Sequence, residues 1–206
     1  MTGRATNRWA DAARLLGWAA LLTPVTILIH ELGHFSVPVL AGLPAELHPT
    51  TVAGGALLGK APGWLVALQA GAGPIATIMM SVAAAYLFDR DRRRLWALAV
   101  AVAAASRFLV TTGYLGIRLF LLVMGIEFGG SPNFDEHNVA QALGLPSPIL
   151  ALAATLFLFA LLIWLLRRVE RGRRLIYLLA TAGGVAAGFL LWVVLAPVPL
   201  MTIAGR

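Results

Sequence analysis

The chain has 206 residues, is 60% hydrophobic, and carries a formal net charge of +7 with a mean hydropathy of +0.85. That composition excludes an ordinary soluble domain and reads as a single integral membrane domain over 1–206. Cysteine is absent, which excludes a disulfide framework and a thiolate metal site, so a bound zinc ion would need nitrogen and oxygen ligands.

In chain order, the first apolar segment (15–41) follows Arg4, Arg8 and Arg14. A basic stretch ahead of an apolar run has the outline of a signal peptide. Here the run continues through His30-Glu31-Leu32-Gly33-His34, so a retained first span is expected. Further apolar segments at 62–88, 95–126, 148–166 and 175–196 complete the set. The expected fold is all-α, a polytopic transmembrane helical bundle of about five spans. Segment 95–126 is long for one crossing, and tilt, extension beyond the bilayer, or a break near Thr111-Thr112-Gly113 would account for it. Loop 42–61 sets Pro44, Pro49, Gly54, Gly55 and Gly59 around Thr50-Thr51-Val52, the composition of a short surface hairpin. Its edge could pair with an extended peptide, and an ordinary connecting loop reads equally well.

The arginines orient these spans. Arg90, Arg92, Arg93 and Arg94 lie in the second connection; Arg167, Arg168, Arg171, Arg173 and Arg174 lie in the fourth. With the N-terminal arginines, these connections are expected on the cytoplasmic side. Clustering of this kind is a topology signal, and no nucleic-acid partner is expected. Loops 42–61 and 127–147 contain Lys60 and no arginine, and should face the other way. The N-terminus is then cytoplasmic, in a multipass protein of the plasma (inner) membrane. His30 lies about 16 residues beyond Arg14, or roughly 24 Å along a helix, toward the non-cytoplasmic face. His48 and His137 fall on that same side.

Ionisable residues at membrane depth are costly and mark function. On a helix, His30 and His34 stand one turn apart on one face, as two ligands of one zinc ion require, and Glu31 lies beside them as a general base. A third ligand is expected from 131–138. Asp135 is the first choice, with Glu136 and His137 as alternatives and His48 behind them. The same stretch also reads as the capped start of a short amphipathic helix, with Asn133 or Asp135 as cap and Val139, Ala140 and Leu143 packing inward.

Gly71-Ala72-Gly73-Pro74 is expected to interrupt the second span, either to line a cleft or to pack helices closely. Arg107 and Arg118, eleven residues apart, return to nearly one helical face with Thr111 and Tyr114. Arg107 could pair with a carboxylate near the metal or stabilise an oxyanion; Arg118 reads as snorkelling to the interface.

Three of these places, taken in order, resemble the site-2-protease family of intramembrane zinc metalloproteases. His30-Glu31-Leu32-Gly33-His34 matches the family's zinc motif. Gly73-Pro74-Ile75-Ala76-Thr77 resembles its Gly-Pro-x-x-Asn element, with Thr77 where asparagine is usual. Asp135 falls where a later aspartate supplies the third ligand, though Glu136 rather than glycine follows it. No inserted peptide-binding domain is present, and the site is expected toward the outer face, whereas many members open to the cytoplasm. The resemblance implies a metalloprotease-like core at 15–145, with 148–196 as scaffold helices. It also implies Zn2+ held by His30, His34 and Asp135, Glu31 as catalytic base, and Gly73, Pro74, Thr77 and Arg107 as supporting residues. The expected substrate is a transmembrane or membrane-proximal segment of another protein. A structural or sensory zinc site without hydrolysis is the alternative, and Glu31 discriminates the two. A metal-ion transporter would need buried carboxylates in more spans than this chain supplies.

Overall fold

The computed structural model describes residues 7–58, 61–127, 134–195 and 200–203. Arg4, Gly59, Lys60 and Ser131 to Asn133, which entered the reading above, lie outside them.

Five helices are long and apolar enough to cross a membrane. Helix α1 (Arg8–Leu40) opens with the Asn7 side chain accepting the Trp9 N–H at 3.1 Å. It closes with Gly42 at a φ of +70°, while the N–H groups of Gly42 and Leu43 bond to the carbonyls of Val39 and Pro38. Both bonds belong to a Schellman cap, and it turns the chain straight into a hairpin. Strands β1 (Ala45–His48) and β2 (Thr51–Gly54) pair antiparallel, with Leu47 opposite Val52. Leu47 and Ala45 bury against Phe35 of α1. A third strand, β3 (Met201–Ile203), which the sequence reading lacks, joins the other edge of β1 to give the order β2-β1-β3.

Helix α2 (Gly63–Arg90) runs unbroken through Pro74, so Gly71 to Pro74 do not interrupt it. They serve close approach instead. A Cβ on Gly33 would lie 2.8 Å from the Ala72 carbonyl oxygen, and one on Gly73 would overlap the His34 imidazole. Glycine at both places lets α1 and α2 cross with His34 pressed between them.

The long third segment does break, but before the expected point. Helix α3 (Leu95–Ala105) ends at Ser106, and α4 (Phe108–Val123) starts after Arg107. The break falls ahead of Arg107, which caps α4 with its carbonyl accepting the Thr111 N–H at 3.2 Å, so Arg107, Thr111, Tyr114 and Arg118 follow one helix, with Thr111 and Tyr114 buried. Helix α3 is lined with buried alanines, and Ser81 of α2 donates to the Ala101 carbonyl at 2.9 Å.

Helix α5 (Asp135–Ala142) leans on α2 beside Gly71, where Val139 Cγ2 would meet an added Cβ at 3.6 Å. Its N-cap is Phe134, without a side-chain cap bond, which corrects the expected capping by Asp135. Ala140 is buried, but Leu143 is 55% exposed and does not pack inward, because it already lies at the helix's closing turn. Helices α6 (Pro148–Arg168) and α7 (Arg174–Leu195) complete the bundle. Helix α7 packs on α1 through Gly184 and Gly188; a Cβ on Gly188 would lie 2.8 Å from the Thr23 Cβ.

The arginine-rich segments meet at one end of the bundle. Arg92 donates to the Arg168 carbonyl at 3.1 Å, and Arg173 pairs with Asp11 at 3.0 Å. The hairpin and β3 lie together away from that end, as an odd number of crossings requires.

Candidate metal centre

His30 and His34 occupy successive turns of α1, both buried. Each ring is oriented by α2. His30 Nδ1 lies 2.8 Å from Thr77 Oγ1, whose own hydroxyl donates to the Gly73 carbonyl one turn back at 3.1 Å. The hydroxyl proton is thereby spent, so Thr77 accepts and His30 Nδ1 carries the hydrogen. His34 Nδ1 donates to the Gln69 carbonyl at 2.7 Å. Both Nε2 atoms are therefore left as lone pairs, the arrangement metal-binding imidazoles need.

These two lone pairs face each other at 3.1 Å, and Asp135 Oδ2 lies 3.3 Å from both. Asp135 reaches them from the first turn of α5, because α5 packs on the same stretch of α2 that orients the histidines. Three electron-rich atoms on buried or half-buried side chains thus converge on one point. Arg107 brings N–H groups to two of them: Nη2 bonds Asp135 Oδ2 at 2.6 Å, and Nη1 lies 3.1 Å from His30 Nε2. With both Nδ1 atoms carrying the hydrogens, His34 Nε2 faces only the His30 lone pair and the Asp135 carboxylate, neither of which donates to it. A buried lone pair left so is costly, and a bound cation satisfies all three atoms together. His30, His34 and Asp135 form a group that can hold a metal ion, with two nitrogens and one carboxylate oxygen as its donors.

Glu31 is 7% exposed and makes no hydrogen bond or ion pair among the described residues. With His30 and Thr77 it lines one end of a cavity of about 940 Å³ between α1, α3, α4, α6 and α7. That cavity is walled mostly by leucine, valine, alanine and phenylalanine, and Thr50 of the hairpin turn contributes to it.

The alternative ligands go elsewhere. Glu136, 4% exposed, receives the Arg107 guanidinium at 3.1 Å on each carboxylate oxygen, so it backs the arginine rather than the cluster. His137 Nδ1 lies 3.1 Å from the Tyr114 hydroxyl, on the side of α5 where Tyr114 also stacks on Phe134. His48 sits in β1 beside Glu46, 3.4 Å away. Gly73 and Pro74 lie next to His34 within α2, and Thr77 is the ring partner of His30. Arg107 pairs with a carboxylate of the cluster, as the sequence suggested.

Gln69 is the residue that sequence reasoning missed. It is fully buried, its side chain accepts the Ala56 N–H at 2.6 Å and donates to the Gly54 carbonyl at 3.3 Å, and its carbonyl orients His34. It ties the hairpin to the ligand cluster. The signal was present in the sequence as a lone amide in an apolar span.

Fold and site together define a multipass helical membrane protein with a buried two-histidine, one-carboxylate cluster at a large apolar cavity. No protein-family model, no curated protein and no solved structure matches the chain.

Proposed function

We propose that the chain is an intramembrane zinc metalloprotease, a small relative of the site-2-protease family. The observation that carries this reading is the ligand triangle. Its sides of 3.1, 3.3 and 3.3 Å suit a tetrahedral zinc site, where bonds of about 2.0–2.1 Å set ligand atoms about 3.3 Å apart. Three protein ligands leave a fourth position open, which separates catalytic zinc sites from closed structural ones.

A bound zinc ion would acidify water and polarise a carbonyl. The rest falls to the chain's own residues. Glu31, held at the cavity wall without a partner of its own, takes the proton from the attacking water and delivers it to the leaving amine nitrogen. Thr77 and the Gln69 carbonyl keep the imidazoles in the ligating tautomer. Arg107, backed by Glu136, positions Asp135 and supplies positive charge beside the reacting carbonyl. The apolar cavity excludes bulk water and admits an apolar peptide segment. A spanning helix hides its carbonyls in hydrogen bonds, so the substrate must unwind locally before attack.

The arginine distribution supports a cytoplasmic N-terminus, a location in the plasma (inner) membrane, and a centre toward the non-cytoplasmic face. A structural or sensory zinc site is the second reading. It is favoured by Arg107, whose two N–H groups close around atoms of His30 and Asp135. Glu31→Gln separates the two. The protease reading expects cleavage of a membrane-embedded reporter peptide to fall by about 10²-fold or more while zinc content stays equal to wild type. Undiminished cleavage by Glu31→Gln would refute a role for Glu31 as the base.

A further inference from the structure

The arginine-rich end of the bundle encloses a second hollow of about 510 Å³. Arg92 of the α2–α3 turn and Arg167, Arg168, Arg171, Arg173 and Arg174 around the α6–α7 turn line it. Among the described residues, Asp89 pairs with Arg92 and Arg168, and Asp11 and Glu170 pair with Arg173. Part of the wall is fixed in place. Arg92 donates to the Arg168 carbonyl, and Arg174 donates to the carbonyls of Val169 and Arg167, each at 3.1 Å. Arg167 and Arg171 are exposed and make no side-chain hydrogen bond or ion pair among the described residues. Topology signalling asks only for positive charge in the connections. It does not require guanidinium groups from two separate turns to surround one hollow, a fork geometry suited to phosphate oxygens.

A second observation says what accompanies the phosphate. Val169 and Tyr177 line this hollow and also the large apolar cavity, so the two adjoin. Along α7 the cavity wall runs from Tyr177 to Phe189. That is about 18 Å of helix rise, and half of a hydrocarbon core is about 15 Å. A cationic cup at the arginine-bearing end therefore adjoins an apolar slot whose α7 wall is about one leaflet long.

We propose that cup and slot together bind an anionic phospholipid, with the phosphate among the arginines and an acyl chain along α7. Charge complementarity selects the headgroup, and a zwitterionic headgroup gains less because it brings a cation with it. The slot selects a lipid over a soluble phosphate. The arginine cup contains none of the metal-ligand residues, although the slot is the same cavity that His30, Glu31 and Thr77 line, and the lipid site stands whether or not the protein is a protease.

The test is equilibrium binding of dansyl-labelled phosphatidylglycerol and phosphatidylcholine to the full chain in neutral detergent, read by energy transfer from tryptophan. Phosphatidylglycerol is expected to bind about tenfold more tightly, and Arg167→Gln with Arg171→Gln to weaken it about fivefold or more. Arg90→Gln with Arg93→Gln removes the same charge at the same end but outside the cup, and should change binding by less than about twofold. Ala186→Phe, which fills the slot, should weaken phosphatidylglycerol with thermal unfolding unchanged. Glycerol phosphate lacks chains and should not displace the lipid. Equal affinity for the two lipids, equal losses from the two arginine pairs, or displacement by glycerol phosphate as effective as by lipid would each overturn the proposal.

Discussion

Two histidines one turn apart become ligands only if their rings are turned the right way and carry lone pairs at the right nitrogen. Thr77 and Gln69 supply that. Thr77→Val keeps the shape but removes the acceptor for His30 Nδ1–H. Loss of such an outer partner typically weakens metal binding about 10–100-fold. A competition titration with a chromophoric chelator reads it, and unchanged affinity would show that the Thr77 contact does not set the His30 tautomer. Much of this residue-scale chemistry was legible beforehand. His30, His34, Asp135 and Arg107 stand out because ionisable side chains in apolar surroundings need a reason to be there. Gln69 acts on His34 through a backbone carbonyl across 35 positions of sequence. The lone amide marked Gln69 itself, but a backbone acceptor leaves no residue-type signature, so its hold on His34 shows only in the packing of α1 on α2. The role of Glu136 was hidden for a similar reason. Whether an acid ligates the metal or supports the arginine depends on which face of α5 it occupies, and that face was fixed by contacts with α2 and α4.

Among the elements, long apolar runs marked four crossings to within about three residues, because bilayer thickness sets their length, while α1 starts at Arg8, well ahead of the run at 15–41. The hairpin was legible from its glycines and prolines, and Gly54 and Gly55 do take positive φ, +89° and +71°. The third strand was not, since β3 comes from the far end of the chain and its pairing is non-local. The break between α3 and α4 fell at Ser106-Arg107 rather than at Thr111-Thr112-Gly113. The backbone there stays in the αR region and tightens to i→i−3 bonds, and this is the turn from which Arg107 meets Asp135 and Glu136. Helix α7 was read as plain scaffold, yet Gly184 and Gly188 sit four residues apart where it crosses α1. Gly188→Leu drives a side chain into the Ala20 carbonyl and Thr23. It should cost about 1–3 kcal/mol, the usual range for overpacking, seen as a lower unfolding midpoint in detergent. An unchanged midpoint would mean that α7 does not pack on α1 as described.

For the molecule as a whole, the structure brings the arginine-bearing turns to one end and the hairpin with β3 to another region, and the proposed orientation places these on opposite faces of the membrane. The absence of cysteine makes this directly testable. Ala53→Cys in β2 and Gly172→Cys in the α6–α7 turn each introduce a single thiol. In intact cells a membrane-impermeant maleimide should label the first and not the second, and after lysis it should label both. The reverse pattern would put the metal-ligand cluster toward the cytoplasm and invalidate the arginine rule for this chain.

The measurement that bears most directly on the metal centre is the zinc content of purified protein by elemental mass spectrometry. About one zinc per chain is expected for wild type and for Glu31→Gln, and far less for His34→Ala and Asp135→Ala, because each removes one of three protein ligands. Equal zinc in all four proteins, or none in wild type after purification with added zinc, would contradict the centre proposed at His30, His34 and Asp135.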